Sequence, residues 1–168
     1  MGSEIKNLRR EDANKKIKDI ADAADICLFT TDLTHLPLQT RPMSRQLVDE
    51  DGTIWFFSDK DSDKNRDIQK DNRVQLFFSN KASSEYLSLY GTASIIVDPE
   101  RAKELWSAPM KIWFKDPEDP NLTILKVVPE DGYYWDTKDG KLVSLFKMVV
   151  GAITGKEMDG SVEGQIRK

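Results

Sequence analysis

Residues 55–68 of the chain read Trp55-Phe56-Phe57-Ser58-Asp59-Lys60-Asp61-Ser62-Asp63-Lys64-Asn65-Arg66-Asp67-Ile68. The stretch opens with bulky aromatic residues after an Asp51-Gly52 turn, a pattern typical of a β-strand. A short polar loop follows, and a helix is predicted to begin after Ser62, a residue type that often caps helix N-termini. The first N–H groups of a helix have no partner inside the helix, so a strand that leads into such an N-terminus can bind a phosphate.

Three side chains in this stretch suit an anion. Ser58 and Ser62 carry hydroxyl donors, and Lys64 carries a full positive charge. The alternative is a solvated, charged turn on the surface of a β protein, because turns of this composition are common. The spacing of these residues alone does not decide between the two interpretations.

Further motifs flank this stretch in a fixed order between residues 7 and 155. They are Arg41-Pro42-Met43, Trp55-Phe56-Phe57-Ser58 with Ser62 and Lys64, Asn72-Arg73-Val74, Tyr86 to Gly91, Leu105-Trp106, Trp113-Phe114, and Val128-Pro129 leading to Tyr134-Trp135-Asp136. Together they resemble the flavin-binding split-barrel family related to pyridoxamine 5'-phosphate oxidase, and most closely its general stress protein branch. Each motif is weak by itself, whereas the ordered set is fairly specific.

The resemblance implies a mainly β fold with peripheral helices (α+β): a six-stranded antiparallel split β-barrel, as one domain over residues 1–168. It also implies a homodimer that binds FMN between its subunits. By the same resemblance, Arg41 and Met43 border the flavin, Phe57 and Ser58 line the ribityl and phosphate path, Ser62 and Lys64 hold the phosphate, and Trp113 closes the site from the partner subunit. Plain packing is an equally good interpretation of Trp113, because it lies in an irregular, aromatic segment.

Departures from the family pattern restrict the expected chemistry. Asp63-Lys64 stands where the oxidases have an Arg-Lys pair, and Gln46 stands where they have a lysine. No basic substrate motif follows Trp135-Asp136. We therefore expect a flavin-dependent, oxidoreductase-like general stress protein without true pyridoxamine-phosphate oxidase activity, with NADH or NADPH as an optional electron donor. The alternatives are a non-catalytic flavin carrier or sensor, and a related split barrel that uses a deazaflavin.

Composition narrows the class of protein. The 168 residues are 39% hydrophobic and 32% charged, which indicates a folded chain with a real core. A net charge of −4 argues against nucleic acid as the main partner. Cys27 is the only cysteine, so no internal disulfide forms, and its apolar neighbours favour an inert core residue. No apolar run reaches membrane-spanning length, so we expect a cytoplasmic protein that binds no membrane.

Neither the lone histidine nor the acidic run at residues 49–51 predicts a metal or catalytic site. His35 is the only histidine, and one histidine makes neither a zinc site nor a triad with Cys27. The acids of Asp49-Glu50-Asp51 are better explained as a solvated hairpin turn than as a metal or acid–base site. We expect no metal.

Hydrophobic periodicity and turn residues predict the elements around the central stretch. Helices are expected over the apolar face Ala13, Ile17, Ile20, Ala21 and Ala24, from Ser62 to about Lys70, from Asp98-Pro99 to near Trp106, over Pro109 to Phe114, and along Leu142, Leu145, Phe146, Val149 and Ile153. Strands are expected over 26–31, 36–43, 46–48, 53–58, 74–79 and 86–97, the last bent at Gly91, and over 122–128 and 132–136, joined by a turn at Pro129. Pro42 places its part of the strand at an edge or bulge.

Overall fold

A closed antiparallel barrel of six strands forms the centre of the molecule. The structure is a computed structural model that describes residues 4–6, 8–137 and 161–167. Its strands are β1 Glu4–Ile5, β2 Leu8–Arg9, β3 Ile26–Thr31, β4 Gln39–Val48, β5 Ile54–Asp59, β6 Arg73–Asn80, β7 Glu85–Ile96, β8 Leu122–Thr137 and β9 Ser161–Arg167. Neighbours run β3-β4-β5-β8-β7-β6, and β6 pairs with β3 to close the ring. The predicted split-barrel fold is confirmed.

In the described part of the chain, three α-helices and one 3₁₀ helix surround the barrel. They are α1 Arg10–Ala23, α2 Asp63–Lys70, α3 Pro99–Leu105 and the 3₁₀ helix Ala108–Ile112. The predicted caps are present, because Ser62 Oγ accepts the N–H of Asn65 and Asp98 Oδ1 accepts the N–H of Arg101. The short helix predicted over Pro109 to Phe114 is the 3₁₀ helix Ala108–Ile112, which begins one residue earlier and ends two residues earlier.

The buried apolar residues of the described chain form two clusters. The larger one fills the barrel and includes the buried side of α1, together with Phe29 and Phe56, whose rings meet edge to face at a centroid distance of 5.3 Å. The smaller one lies between the outer face of β5 and β8 and the α3–3₁₀ segment, and it contains Trp55 and Phe57. Alternate residues of β5 therefore enter different clusters, which explains why this strand is continuously apolar.

Two predicted strand breaks are wrong. The strands predicted over 36–43 and 46–48 are one strand, β4, which begins only at Gln39, so residues 36–38 lie outside it. β4 continues through a bulge between Arg45 and Leu47. The turn at Pro129 is also wrong, because β8 runs unbroken for 16 residues. The pairing of β8 with β7 shifts by a bulge opposite Tyr90 and Gly91, and this bulge accommodates Pro129 within the strand. The chain therefore does not reverse at the proline.

Proline and glycine mark the places that the sequence indicated. Pro42 pairs with Leu28 of β3, and the paired residues of β5 face only 45–48 of β4, so Pro42 lies on an edge. A Cβ on Gly91 would lie 2.3 Å from the carbonyl oxygen of Val128, so only glycine fits this bend. Gly52 has φ 82 in the hairpin turn between β4 and β5.

A small sheet extension joins the two ends of the described chain. β9 pairs antiparallel with the second half of β8 and parallel with β1 and β2. The sequence patterns predicted none of these three strands. The predicted helix along Leu142, Leu145, Phe146, Val149 and Ile153 lies outside the described residues, and the single domain over residues 1–168 stays a prediction.

Candidate functional site

A pocket of about 320 Å³ lies where four elements meet. Its walls come from the edge of β4, the end of β5, the first turn of α2 and the 3₁₀ helix with the residues just after it. Six of the seven predicted site residues line it: Arg41, Met43, Phe57, Ser58, Lys64 and Trp113. The fold thus brings together residues as far apart in the sequence as Arg41 and Trp113.

Ser62 is the predicted residue that the pocket lining does not include. Its hydroxyl oxygen accepts the backbone N–H of Asn65 at 3.3 Å and so caps α2. A second contact of 3.3 Å joins it to the hydroxyl of Ser58. Ser62 thereby fixes the start of the helix that presents Lys64.

Two cations share the polar end of the pocket. Burial lowers the pKa of Lys64, and the positive charge of Arg41 lowers it further, while Asp59 and Asp63 oppose the shift. Burial likewise lowers the pKa of Arg41, against the opposite influence of Asp67 and Asp63. Two half-buried like charges repel each other, so an anion between them would be attracted by both.

The neighbouring acids are only partly engaged with these cations. Asp63 pairs with Arg66 rather than with Lys64. Asp59 lines the pocket, and one of its carboxylate oxygens accepts the N–H of Asp61 at 2.8 Å. Within the described part of the chain, Lys64 forms no ion pair, which keeps its ammonium group free for a ligand.

Ser58 belongs to a buried hydrogen-bond network behind the pocket. Its hydroxyl donates to Asn65 Oδ1 at 2.6 Å, and Asn65 Nδ2 donates to Thr123 Oγ1 at 2.9 Å. Thr123 in turn donates to the carbonyl of Ser58 at 2.8 Å. The three residues are at most 4% exposed, and the cycle satisfies each side chain. It locks α2 to β5 and β8.

An apolar wall forms the other side of the pocket. Phe57 packs against Phe114 at a ring-centroid distance of 6.4 Å and against Trp106 at 6.0 Å. Met110 and Phe114 are buried beside them, whereas Trp113 is 74% exposed. Trp113 lines the pocket of its own chain, so no second subunit is needed to bring it there.

Sequence reasoning gave no site role to six further lining residues. They are Pro42, Ser44, Gln46, Asp59, Met110 and Phe114. Four of them, namely Pro42, Ser44, Asp59 and Phe114, directly neighbour assigned residues along the chain. No local signal marks Met110, because the fold of the 3₁₀ segment brings it against Phe57.

The remaining reactive side chains lie elsewhere. Cys27 is buried in the barrel, and burial raises the pKa of its thiol to about 12, which fits the predicted inert core residue. His35 is exposed and bonds Asp32 through Nδ1 at 2.6 Å. Over residues 4–6, 8–137 and 161–167, no three potential metal-ligating side chains cluster, and no helix is long and apolar enough to cross a membrane.

Comparison with known proteins assigns the chain to a family. Residues 12–159 match the family model described as pyridoxamine 5'-phosphate oxidase like. The chain belongs to this family. It is 26% identical over 129 residues to general stress protein 26 of Bacillus subtilis, a match that covers 74% of this chain and 89% of that protein. It is also 26% identical over 112 residues to protein bli-3 of Neurospora crassa, covering 61% of this chain but only 54% of bli-3.

Solved structures of two general stress proteins share the fold. A general stress protein 26 from Jannaschia sp. CCS1 superimposes with a TM-score of 0.78 at 23% identity, covering 94% of this chain and 99% of that one. The general stress FMN/FAD binding protein of Xanthomonas citri gives a TM-score of 0.62 at 25% identity, covering 74% of this chain and 87% of that one. The first likeness supports the fold, and the second is to a protein that binds a flavin.

Proposed function

We propose that this protein binds FMN in the β4–β5–α2 pocket and acts as a flavin-dependent oxidoreductase of the general stress type. The observation that carries the proposal is that two half-buried cations, Arg41 and Lys64, lie at one end of a pocket whose other wall is aromatic. A phosphate monoester carries roughly −1.5 to −2 charges at neutral pH, which suits two cations. The flat ring system suits the wall of Phe57, Phe114 and Trp113.

In this proposal the protein supplies binding and orientation. Lys64 and Arg41 hold the phosphate, and Ser62 holds Lys64 in place through the helix cap. Met43, Phe57 and Trp113 border the ring and exclude water from it. When bound, FMN supplies hydride or electron transfer, with NADH or NADPH as the proposed donor. Within the described residues, the charged side chains that line the pocket are Arg41, Asp59 and Lys64, and none of them is assigned as a general acid or base.

The likeness to the Xanthomonas citri flavin-binding protein supports a flavin as the ligand. The positive charge of the pocket supports FMN as the choice among flavins, whereas its size alone does not. Its volume of about 320 Å³ is near the lower limit for pockets that enclose a drug-sized ligand. A single chain would therefore leave part of the cofactor uncovered. This leads us to propose a homodimer.

An apolar row on the outside of the barrel supports the dimer. Pro42, Leu28 and Phe77 are direct neighbours across β4, β3 and β6, and Leu28 and Phe77 are 49% and 43% exposed. Ile26, on the same face of β3, is also exposed. Pro42 belongs to both this row and the pocket lining, so a second copy docked on the row would also approach the cofactor.

Light scattering after size-exclusion chromatography tests the dimer, with an expected mass of about twice 19.2 kDa. Leu28→Lys should produce a monomer with weakened FMN binding, while Gln69→Lys on the exposed side of α2 should leave both unchanged. A wild-type monomer that binds FMN fully at micromolar concentration contradicts the shared site.

The visible spectrum of the freshly purified protein tests the flavin proposal, followed by anaerobic addition of NADH or NADPH. Flavin bands that bleach and return in air support a reductase. Bands that never bleach favour the second candidate function, a carrier or sensor of the flavin, which we retain because no acid or base is assigned. A colourless protein that does not take up added FMN contradicts both.

We further propose a cytoplasmic location, in keeping with the lone, unpaired Cys27.

A further inference from the structure

A buried hydroxyl connects the cationic end of the pocket to α2. Thr31, at the end of β3, is fully buried. Its Oγ1 donates to Asp67 Oδ2 at 2.7 Å and accepts from Arg41 Nη1 at 2.7 Å. A threonine hydroxyl has one proton, and because Asp67 takes it, the oxygen lone pairs point toward the guanidinium. The hydroxyl is therefore oriented as an acceptor for Arg41.

Strand register explains how Arg41 reaches this hydroxyl. Arg41 of β4 lies directly opposite Phe29 of β3, so its side chain starts on the inner face of the barrel. From there it extends along β3 to Thr31, two residues further on and on the same face. Its guanidinium also lies 3.5 Å from the carbonyl oxygen of Phe29, the weaker of its two contacts with β3.

Asp67 is the competing partner of Arg41. Its carboxylate lies 3.9 Å from Arg41 Nη2, which is an ion-pair distance but too long for a hydrogen bond. It stands one helical turn after Lys64 on α2, so the helix that presents one cation carries the countercharge of the other. Without a group between them, Arg41 and Asp67 would close into a direct ion pair.

We infer that Thr31 is a positioning residue: it holds the Arg41 guanidinium away from Asp67 and directed at the anion site, and so determines preference for a phosphorylated flavin. The inference rests on the proposed function, because the anion is the phosphate of FMN. Thr31 itself lies behind Arg41 and is absent from the pocket lining. Asp67 reduces the positive charge that Arg41 offers to an anion. By holding the two side chains apart, Thr31 prevents Asp67 from neutralising Arg41 completely.

Titration of FMN and riboflavin against Thr31→Val tests the inference. Valine keeps the shape of threonine and removes the hydroxyl, so Arg41 is expected to move onto Asp67. FMN affinity should fall about tenfold, while riboflavin affinity, which involves no phosphate, should stay within twofold of wild type. Thr31→Ser restores the hydroxyl and should restore FMN affinity. Equal losses for FMN and riboflavin would overturn the inference.

Two further variants separate the inference from its alternatives. In an Arg41→Met background, Thr31→Val should cause no additional loss of FMN, because its effect passes through Arg41; independent losses contradict the inference. Asp67→Asn keeps an acceptor for the Thr31 proton and removes the charge, so FMN affinity should rise a few-fold. A fall would show that Asp67, rather than Thr31, positions Arg41. Asp67, whose side chain is 21% exposed, also provides a test should Thr31→Val fail to fold.

The ligand preference of the wild-type protein separates a failure of the phosphate site from a failure of the role of Thr31. If wild type binds FMN and riboflavin equally well, the proposed phosphate site is wrong, and the role of Thr31 is wrong with it. If wild type prefers FMN and Thr31→Val keeps the full preference, the site is right and the inference alone is wrong. Thermal unfolding of each ligand-free variant shows that the compared proteins are folded.

Discussion

The hydroxyl of Ser58 donates a 2.6 Å hydrogen bond to Oδ1 of Asn65, which places the only proton of this hydroxyl behind the pocket rather than in it. Ser58 lies at the pocket wall, yet it has no proton left to donate to a phosphate. The predicted phosphate path therefore depends on Lys64 and Arg41 for its donors. The pair Ser58–Asn65 instead joins the end of β5 to the first turn of α2 and fixes the direction in which that helix presents Lys64.

Asn65→Leu should destabilise the fold. The change removes the partner of both Ser58 and Thr123 in a buried place. Leaving buried polar groups unsatisfied costs about 1–3 kcal/mol each, so we expect a loss of about 2–4 kcal/mol in the free energy of unfolding. Urea denaturation measures it, and Gln69→Leu, on the exposed side of the same helix, is the matched control. A loss below 1 kcal/mol would show that the network adds little to stability.

Lys64→Ala should weaken FMN far more than riboflavin. The ammonium group faces the proposed phosphate, and a charge-assisted hydrogen bond contributes about 1.5–3 kcal/mol, or roughly ten- to a hundredfold in affinity. Part of the loss is Coulombic and should shrink at high salt. Lys70→Ala, at the other end of α2, is the control and should change neither affinity. Equal weakening of both ligands by Lys64→Ala would assign the lysine to the fold instead.

Pyridoxamine 5'-phosphate should not be oxidised at a useful rate. Gln46 lines the pocket at the position where the resembling oxidases have a lysine, so a second phosphate lacks that cation. A direct oxidation assay with the FMN-loaded protein checks this. Turnover near ten per second, the typical rate of an enzyme, would mean that the substrate pocket is misjudged. Gln46→Lys should increase binding of the substrate phosphate without restoring full activity.

Gly91→Ala should prevent correct closure of the barrel. The new Cβ would lie 2.3 Å from the backbone oxygen of Val128, and neither strand can move without loss of the β7–β8 pairing. We expect the free energy of unfolding to fall by more than about 3 kcal/mol. Thermal unfolding by circular dichroism measures the change. Ala93→Gly, in the same strand and also paired with β8, removes one methyl group and should cost clearly less.

Cys27 should resist thiol reagents in the native protein at pH 8. The thiol is 1% exposed, and burial raises its pKa from 9.0 to about 12. Its reaction with a chromogenic disulfide should follow global unfolding. The same shift predicts a stability contribution that is complete below pH 9 and declines as the pH rises from 9 to 12, since the unfolded thiol ionises first. Cys27→Ala should remove this part of the pH dependence, and fast labelling of the folded protein would contradict the burial.

Local sequence signals determined much of this protein. The aromatic run before Ser62, the Asp51-Gly52 turn, the Asp98-Pro99 helix start and the bend at Gly91 each depend on the chemistry of a few adjacent residues, and the structure has them where the sequence placed them. The ordered motifs were enough to indicate the family and six of the lining residues. These features are encoded locally, so one sequence suffices to detect them.

Pairing between distant strands decided the rest. Pro129 favours a turn locally, but contacts with β7 on one side and β5 or β9 on the other hold β8 extended through it. Met110 reached the pocket because the 3₁₀ segment packs on the outer face of β5. The hydroxyl of Ser58 turned inward because Asn65 and Thr123, 7 and 65 residues away, surround it. A side chain's chemical type is fixed by its own position in the sequence, whereas its partners are fixed by residues whose proximity exists only after the barrel closes.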